Sequence, residues 1–250
     1  LGAQSFQKSY LDKLERLGSK ESIYRAVELL NQFGYKSFNL DLIFGIPGQT
    51  LEEIKRDIGE AAALGCQHIS SYSLSLKPAH PLYQHLPEND LAADQYEWVT
   101  EQLENAGYLQ YEISNYALKD QQCVHNLLYW SGGDFLGVGP SAASRFFWDG
   151  TFHHRKSASD FGKYLGSSFG DTPFESTTKD QSILEALFLE IRQNQGIDLE
   201  HFERRFDFNP AKQPAFGALV QSGHLLNVEG RARLTPRGRL VAESVVLKLA

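Results

Sequence analysis

Between Phe38 and Phe44 apolar residues recur at every second position: Phe38, Leu40, Leu42 and Phe44 share one face, and Asn39, Asp41 and Ile43 the other. Parallel strands are usually apolar on both faces, so two polar side chains here need a reason. Gly45, Pro47 and Gly48 supply turn chemistry, and Thr50 with Glu53 forms a capping box that opens a helix. Ser37–Thr50 therefore predicts a βα corner: strand, tight turn, helix start.

The pattern before and after this corner repeats its grammar. Leu1–Phe6 predicts the end of a strand, and a strand without a preceding partner leads us to expect further chain upstream of Leu1. Residues 7–16 predict a helix. Ser19 caps a second, whose Ile23, Ala26, Val27 and Leu30 follow the i, i+3, i+4, i+7 spacing up to Gly34. A helix from Leu51 to Leu64 ends at Gly65, and His68–Leu76 is a second alternating strand. A loop marked by Pro78, Pro81 and Pro87 leads into a helix from Leu91 to Ala106, closed by Gly107, and a strand Leu109–Ser114. Helix, glycine and strand recurring in this order predict a parallel α/β sheet.

From Asn115 the pattern changes. Asp134–Ala142 predicts an apolar strand running into a Gly- and Pro-rich corner, Phe146–Arg155 a hairpin turning at Asp149-Gly150, and a short helix follows to Leu165. Gly166–Pro173 has linker composition. Beyond it come three amphipathic helices, a hairpin turning at Glu229-Gly230, and a last helix opened by Thr235-Pro236, an order similar to a winged-helix module. The expected division is 1–165, a linker at 166–178, and a C-terminal α+β domain at 179–250.

The chain of 250 residues is 42% hydrophobic and 22% charged, ordinary values for a globular protein. Its net charge of −7 argues against general nucleic-acid binding and against anionic membranes. No apolar run reaches membrane-spanning length, and the first residues lack a signal-peptide layout, so a cytoplasmic protein is expected. Cys66 and Cys123 form no C-x-x-C pair and read as two buried thiols, with no metal site. Methionine is absent, even at position 1, which again predicts a piece of a longer protein.

Several segments occur together in order: Gly2-Ala-Gln-Ser-Phe6, Asn39–Thr50, Tyr111-Glu-Ile-Ser-Asn115, His125-Asn126 with Tyr129-Trp130, and Gly137-Val-Gly-Pro-Ser-Ala142. With this ordered set the chain resembles the radical S-adenosylmethionine family of oxygen-independent coproporphyrinogen III oxidases and their relatives, the haem chaperones. The resemblance implies the second half of a parallel (β/α) barrel followed by a small winged-helix-like domain. It also implies S-adenosylmethionine held beside a [4Fe-4S] cluster on a C-x-x-x-C-x-x-C loop, a loop this chain does not contain.

Carried over by position, the resemblance places cofactor contacts at Gln4, Arg16 and Asp41, with weaker ones at Ser75 and Ala143. An amide and a carboxylate at strand ends suit ribose hydroxyls, and a guanidinium suits the cofactor's carboxylate. From the strand alone, Asp41 is equally a ligand contact or a partner of a neighbouring loop; the resemblance favours the ligand role. Arg16 has the alternative of a solvated helix end, and Gln4 that of a loop cap. Glu112 is read either as orienting a ligand or as a buried acid bonded to a loop amide, and His125 as a haem contact or a loop-fixing residue. Ala143 stands where chaperone-branch relatives often carry His. Arg231, Arg233, Arg237 and Arg239 form a basic patch read as a solvated face or a lid over substrate carboxylates.

Three functions are weighed. The resemblance leans to a haem chaperone delivering haem to client proteins. The alternatives are a radical enzyme that oxidatively decarboxylates a porphyrinogen propionate, and an α/β domain binding neither ligand. With only two scattered thiols, the chain by itself is expected to be catalytically inactive.

Overall fold

The computed structural model describes residues 1–168 and 171–250, so Phe169 and Gly170 of the expected linker lie outside the described residues. The chain divides into two compact units, Leu1–Cys123 and Val124–Ala250. The hairpin that the sequence pattern groups with the first part thus clusters with the second.

The first unit runs β1 (Gly2–Gln4), α1 (Lys8–Lys13), α2 (Lys20–Gln32), β2 (Asn39–Phe44), α3 (Leu51–Ala63), β3 (His68–Ser73), α4 (Asn89–Asn105), β4 (Leu109–Gln110) and β5 (Asn115–Ala117). The sheet order is β1-β2-β3-β5-β4. β1, β2 and β3 pair in parallel, as the repeating grammar predicts. The expected Thr50–Glu53 capping box opens α3, and the expected cap at Ser19 opens α2 as a full box with Ser22. The even positions of β2 are buried and the odd ones half-buried, so Leu40, Leu42 and Phe44 join Ile54, Ile58 and Ile69 in the core.

The predicted strand Leu109–Ser114 is where the parallel pattern stops. Only Leu109–Gln110 is extended; the chain then reverses, and β5 returns antiparallel to both β4 and β3. The Glu112 carboxylate accepts from Ser114 N at 2.7 Å and from Asn115 Nδ2 at 2.6 Å, which holds the reversal. Of the two readings of Glu112, the geometry matches the acid bonded to its own loop.

The second unit runs α5 (Val124–Trp130), β6 (Ala143–Trp148), β7 (Thr151–Lys156), α6 (Phe161–Gly166), β8 (Glu175–Ser176), α7 (Lys179–Glu190), β9 (Ile197–Asp198), α8 (Leu199–Phe206), α9 (Pro214–Gln221), β10 (Leu225–Val228), β11 (Arg231–Leu234), α10 (Pro236–Leu240) and α11 (Ala242–Leu249). Its sheets are β6-β7-β8 and β10-β11-β9. The β6–β7 turn has Asp149 and Gly150 both at positive φ, 51° and 75°, as a two-residue type I′ hairpin requires. The end of the expected linker is itself a strand, Glu175–Ser176 pairing with β7.

Asp134–Ala142 does not form the predicted strand. It makes one bridge, Phe135 to Arg145, and leaves Leu136 and Val138 exposed. Gly137 lies directly against the start of β6: a Cβ there would stand 2.0 Å from the Ala143 carbonyl oxygen. The apolar run therefore crosses the end of β6 instead of pairing along it. The expected single last helix is two, α10 and α11, broken at Val241.

The core of this unit holds a buried cation. Arg145, 1% exposed, pairs with Glu185 at 3.2 Å, donates to the carbonyls of Tyr129 and Gly133, and lies over the rings of Tyr129, Phe135 and Phe152. In the C-terminal part, three helices, the β10–β11 wing and the closing helices have the winged order read from the sequence. The basic patch is partly paired within the fold: Arg231 bonds Asp198 at 3.1 Å and Arg239 donates to Asn194 at 2.9 Å.

Candidate functional site

Parallel register places Asn39 beside His68 and Asp41 beside Ser70, and β5 sets Asn115 beside Ser70. Side chains alternate along strands, so Asn39, Asp41, His68, Ser70 and Asn115 share one face of the sheet. They form a continuous network there. Asn39 Nδ2 donates to Asp41 Oδ1 at 2.7 Å, and His68 Nδ1 lies 2.7 Å from Asn39 Oδ1. The Tyr111 hydroxyl lies 2.7 Å from His68 Nε2, and Ser70 Oγ donates to Asn115 Oδ1 at 2.8 Å. His68 is 4% exposed, and burial pushes its imidazole down to about 4 although the Asp41 carboxylate pulls the other way. The anomaly in β2 thus has its reason: its polar residues belong to a polar sheet face built from three strands.

The approach to this face is held from the edge. Buried Ser5 donates to Asp57 Oδ2 at 2.6 Å and Phe6 N to Asp57 Oδ1 at 3.0 Å, tying the loop after β1 to α3. Immediately before these anchors Gln4 takes a left-handed conformation, φ 64°, at a register shift in the β1–β2 pairing. α1 pins the corner after β2: Tyr10 donates to Glu53 Oε2 at 2.6 Å, and Lys13 Nζ to the Pro47 carbonyl at 2.7 Å. The Tyr10 and Thr50 hydrogen bonds hold the Glu53 carboxyl down at about 2, while burial and Glu53 push the Tyr10 phenol up to about 12. Gly45 and Gly48, at φ 75° and 77°, supply the positive φ of that corner.

Two further polar groups sit at the same corner. Gln49 Oε1 accepts from Ile46 N at 3.3 Å, while Gln49 Nε2 has no hydrogen-bond partner among the described residues. Gln95 Oε1, also unpartnered among them, is 3.7 Å from where a Gly45 Cβ would stand. A buried donor and a buried acceptor at the carboxyl end of β2 suit a polar ligand or ordered water.

The structure brings Gln4 and Asp41 onto adjacent paired strands, Gln4 opposite Leu42 and Gly2 opposite Asp41. Ser75 is exposed two residues beyond β3. Arg16 is exposed just past α1, where its N–H bonds the Leu11 carbonyl at 2.9 Å as part of the helix end. Ala143 is exposed at the start of β6, in the other unit. His125 is exposed on α5, a helix that also exposes Val124, Leu128 and Tyr129. Sequence reasoning missed His68, Ser70 and Tyr111 as site residues. The available signal was the alternation His68, Ser70, Tyr72 in β3, which repeats the polar alternation of β2.

Cys66 is buried against Tyr108, Cys123 is half-buried, and the described residues hold no group of three His, Cys, Asp or Glu placed for a metal ion. No helix among them is long and apolar enough to cross a membrane.

A family model described as the HemN C-terminal domain matches residues 177–241. The chain is 31% identical over 255 residues to the heme chaperone HemW of Bacillus subtilis, covering 98% of this chain and 67% of that protein. It is 30% identical over 263 residues to the heme chaperone HemW of Lactococcus lactis (99% and 67%), and 38% identical over 202 residues to that of Escherichia coli (74% and 53%). Among solved structures it is similar to the coproporphyrinogen III oxidase HemN of Escherichia coli, a radical SAM enzyme, with a TM-score of 0.75 at 20% identity, over 99% of this chain and 62% of that one. The chain spans about two thirds of the length of the first two chaperones.

Proposed function

The chain belongs to the family of the heme chaperone HemW, a branch of the radical S-adenosylmethionine proteins, and from that premise we propose that it carries the ribose-facing part of an S-adenosylmethionine site and the tail domain of a haem-handling protein. The observation that carries the reading is the polar sheet face, where Asp41 stands half-buried with Oδ1 held by Asn39 and with Gln4 on the paired strand. A carboxylate oriented in this way binds a vicinal diol, and the unpartnered amide atoms of Gln49 and Gln95 supply one donor and one acceptor for the rest of a polar ligand.

The donor set fits the nucleoside and does not fit the cluster. Two separated thiols, one buried against a tyrosine, cannot ligate three irons of a [4Fe-4S] centre, so this chain's own residues do not hold the cluster. In the whole protein S-adenosylmethionine supplies its adenosyl group beside the cluster. Here Asp41 and Gln4 bind ribose hydroxyls, Arg16 pairs with the ligand carboxylate, and Ser75 packs against it; Ala143, expected as a weaker contact, lies in the other unit. The same reading assigns 1–165 to the later part of the barrel, 166–178 to a linker and 179–250 to the tail domain, and the HemN C-terminal match over 177–241 supports the last of these. It assigns the protein to the cytoplasm, with haem as cargo and haem-accepting proteins as clients.

His125 is the proposed haem contact. It stands on the exposed side of α5 one turn from Tyr129, an imidazole on a surface otherwise apolar, which suits a flat, iron-bearing macrocycle. The oxidative-decarboxylase reading rests on the HemN likeness, which at 20% identity speaks for the fold alone.

Haemin titrated into the chain and followed by its Soret absorbance tests the cargo. Saturable binding that weakens at least tenfold in His125→Ala is expected; undiminished binding in that variant removes His125. Calorimetry with S-adenosylhomocysteine tests the cofactor site. Binding weakened in Asp41→Asn is expected, and a wild-type chain that binds neither compound contradicts the proposal.

A further inference from the structure

We propose that Tyr111 and His68 are positioning residues that set the orientation of the Asp41 carboxylate through Asn39, so that the site favours ligands with a vicinal ribose diol. The inference rests on reading Asp41 as the ribose ligand and adds the side chains that aim it.

The hydrogen-bond directions follow from the atoms. An ionised carboxylate only accepts, so the Asn39 atom 2.7 Å from Asp41 Oδ1 is its amide nitrogen. Asn39 Oδ1 then faces His68 and Ser70, and being a carbonyl oxygen it too only accepts. His68 Nδ1, 2.7 Å away, therefore carries the proton. In the neutral ring Nε2 is left as the acceptor, and the Tyr111 hydroxyl at 2.7 Å donates to it. Reversing any one link puts two acceptors or two donors face to face. Tyr111 is itself fixed: it is buried, in the reversal between β4 and β5, with its N–H on the Asn115 carbonyl at 3.1 Å and its ring edge-on to His68 at 5.5 Å.

Ser70 has one hydroxyl proton for two acceptors, Asn115 Oδ1 at 2.8 Å or, in another rotamer, Asn39 Oδ1 at 3.2 Å, and Asn115 in turn donates to Glu112 at 2.6 Å. The carboxylate on the sheet face is thus steered through Asn39 from His68 and Tyr111, on two other segments of the chain. Removing only the Tyr111 hydroxyl leaves buried Nε2 without its donor, so nothing any longer enforces the Nδ1–H tautomer that holds Asn39 Oδ1. The Asn39 amide then loses its fixed orientation, and with it the Asp41 carboxylate loses the donor that aims it.

The test compares two ligands, S-adenosylhomocysteine and its 2′,3′-dideoxy analogue, by calorimetry on the wild-type chain and on Tyr111→Phe, His68→Leu and His68→Asn, with thermal melts for each. The wild type is expected to prefer the diol ligand roughly tenfold or more. Tyr111→Phe and His68→Leu lose most of that preference, whereas His68→Asn, which keeps an N–H near the Nδ1 position, retains much of it. A Tyr111→Phe chain with the wild-type preference overturns the positioning role and leaves the ribose reading standing. Equal weakening of both ligands in the variants assigns the network a structural role only and overturns the proposal. A wild-type chain that binds neither ligand overturns the ribose reading and this inference with it.

Discussion

Ser5 donates a 2.6 Å hydrogen bond to Asp57, joining two residues 52 positions apart in the first unit and fixing the stretch that carries Gln4. Both side chains are buried, and burial holds the Asp57 carboxyl above the usual carboxylate range even though Ser5, Phe6 and Gln7 all donate to it. Ser5→Ala leaves a buried carboxylate oxygen without that donor and costs about 1–3 kcal/mol. Denaturant unfolding measures the loss. A change within about 0.5 kcal/mol, the usual range for surface substitutions, contradicts the anchor.

Two buried groups, His68 in the first unit and Glu190 in the second, respond to pH with opposite sign. The folded value of His68, about 4, lies below its unfolded value of 6.5, so between these the unfolded chain binds the proton more readily. Stability from this group is present above pH 6.5 and falls away toward pH 4, by an amount on the order of 3 kcal/mol. Glu190 behaves the other way. Burial pushes its carboxyl up to about 7 against the pull of Arg205, so the folded state holds the proton and stability declines as pH rises from 4.5 to 7. Segment-resolved hydrogen exchange at pH 4.5 and 7 separates the two, with protection in β3 gained and in α7 lost on going to the higher pH.

Gly137 is a glycine for want of space, since a Cβ would meet the Ala143 carbonyl oxygen at 2.0 Å. Backbone cannot yield as a side-chain tip does. Gly137→Ala is expected to destabilise the second unit by about 1–3 kcal/mol, read as a lower melting temperature.

Arg145 is expected to be the most sensitive single charge in the second unit. Arg145→Ala removes three ring contacts and leaves Glu185 with His154 alone, at 2.8 Å. The loss is about 3–5 kcal/mol. A melting temperature unchanged by this substitution contradicts the buried-cation account.

Local chemistry was legible in the sequence wherever a few neighbouring residues decide the outcome. The capping pair Thr50 and Glu53, the cap at Ser19 and the Asp149-Gly150 turn depend only on adjacent side chains and φ preferences. The alternation in β2 also showed which residues face away from the core. Features set by long-range pairing were hidden. Nothing near Asn115 announces that it will pair with Ser70, so the pattern predicts a strand over Leu109–Ser114 and misses both the reversal within it and β5 beyond it. Arg145 is of a residue type mostly found at surfaces, and only the assembled rings of Tyr129, Phe135 and Phe152 explain its burial. The polar residues of β3 were visible, but their meaning required the register with Asn39 and Asp41.

The central claim is that the polar face around Asp41 receives the nucleoside. The most direct measurement is amide chemical-shift mapping of the isotopically labelled chain during titration with S-adenosylhomocysteine. Concentrated shifts at Gln4, Asn39, Asp41 and Ser70, absent in Asp41→Asn, are the predicted result; shifts confined to Val124–Ala250, or none at saturating ligand, contradict it.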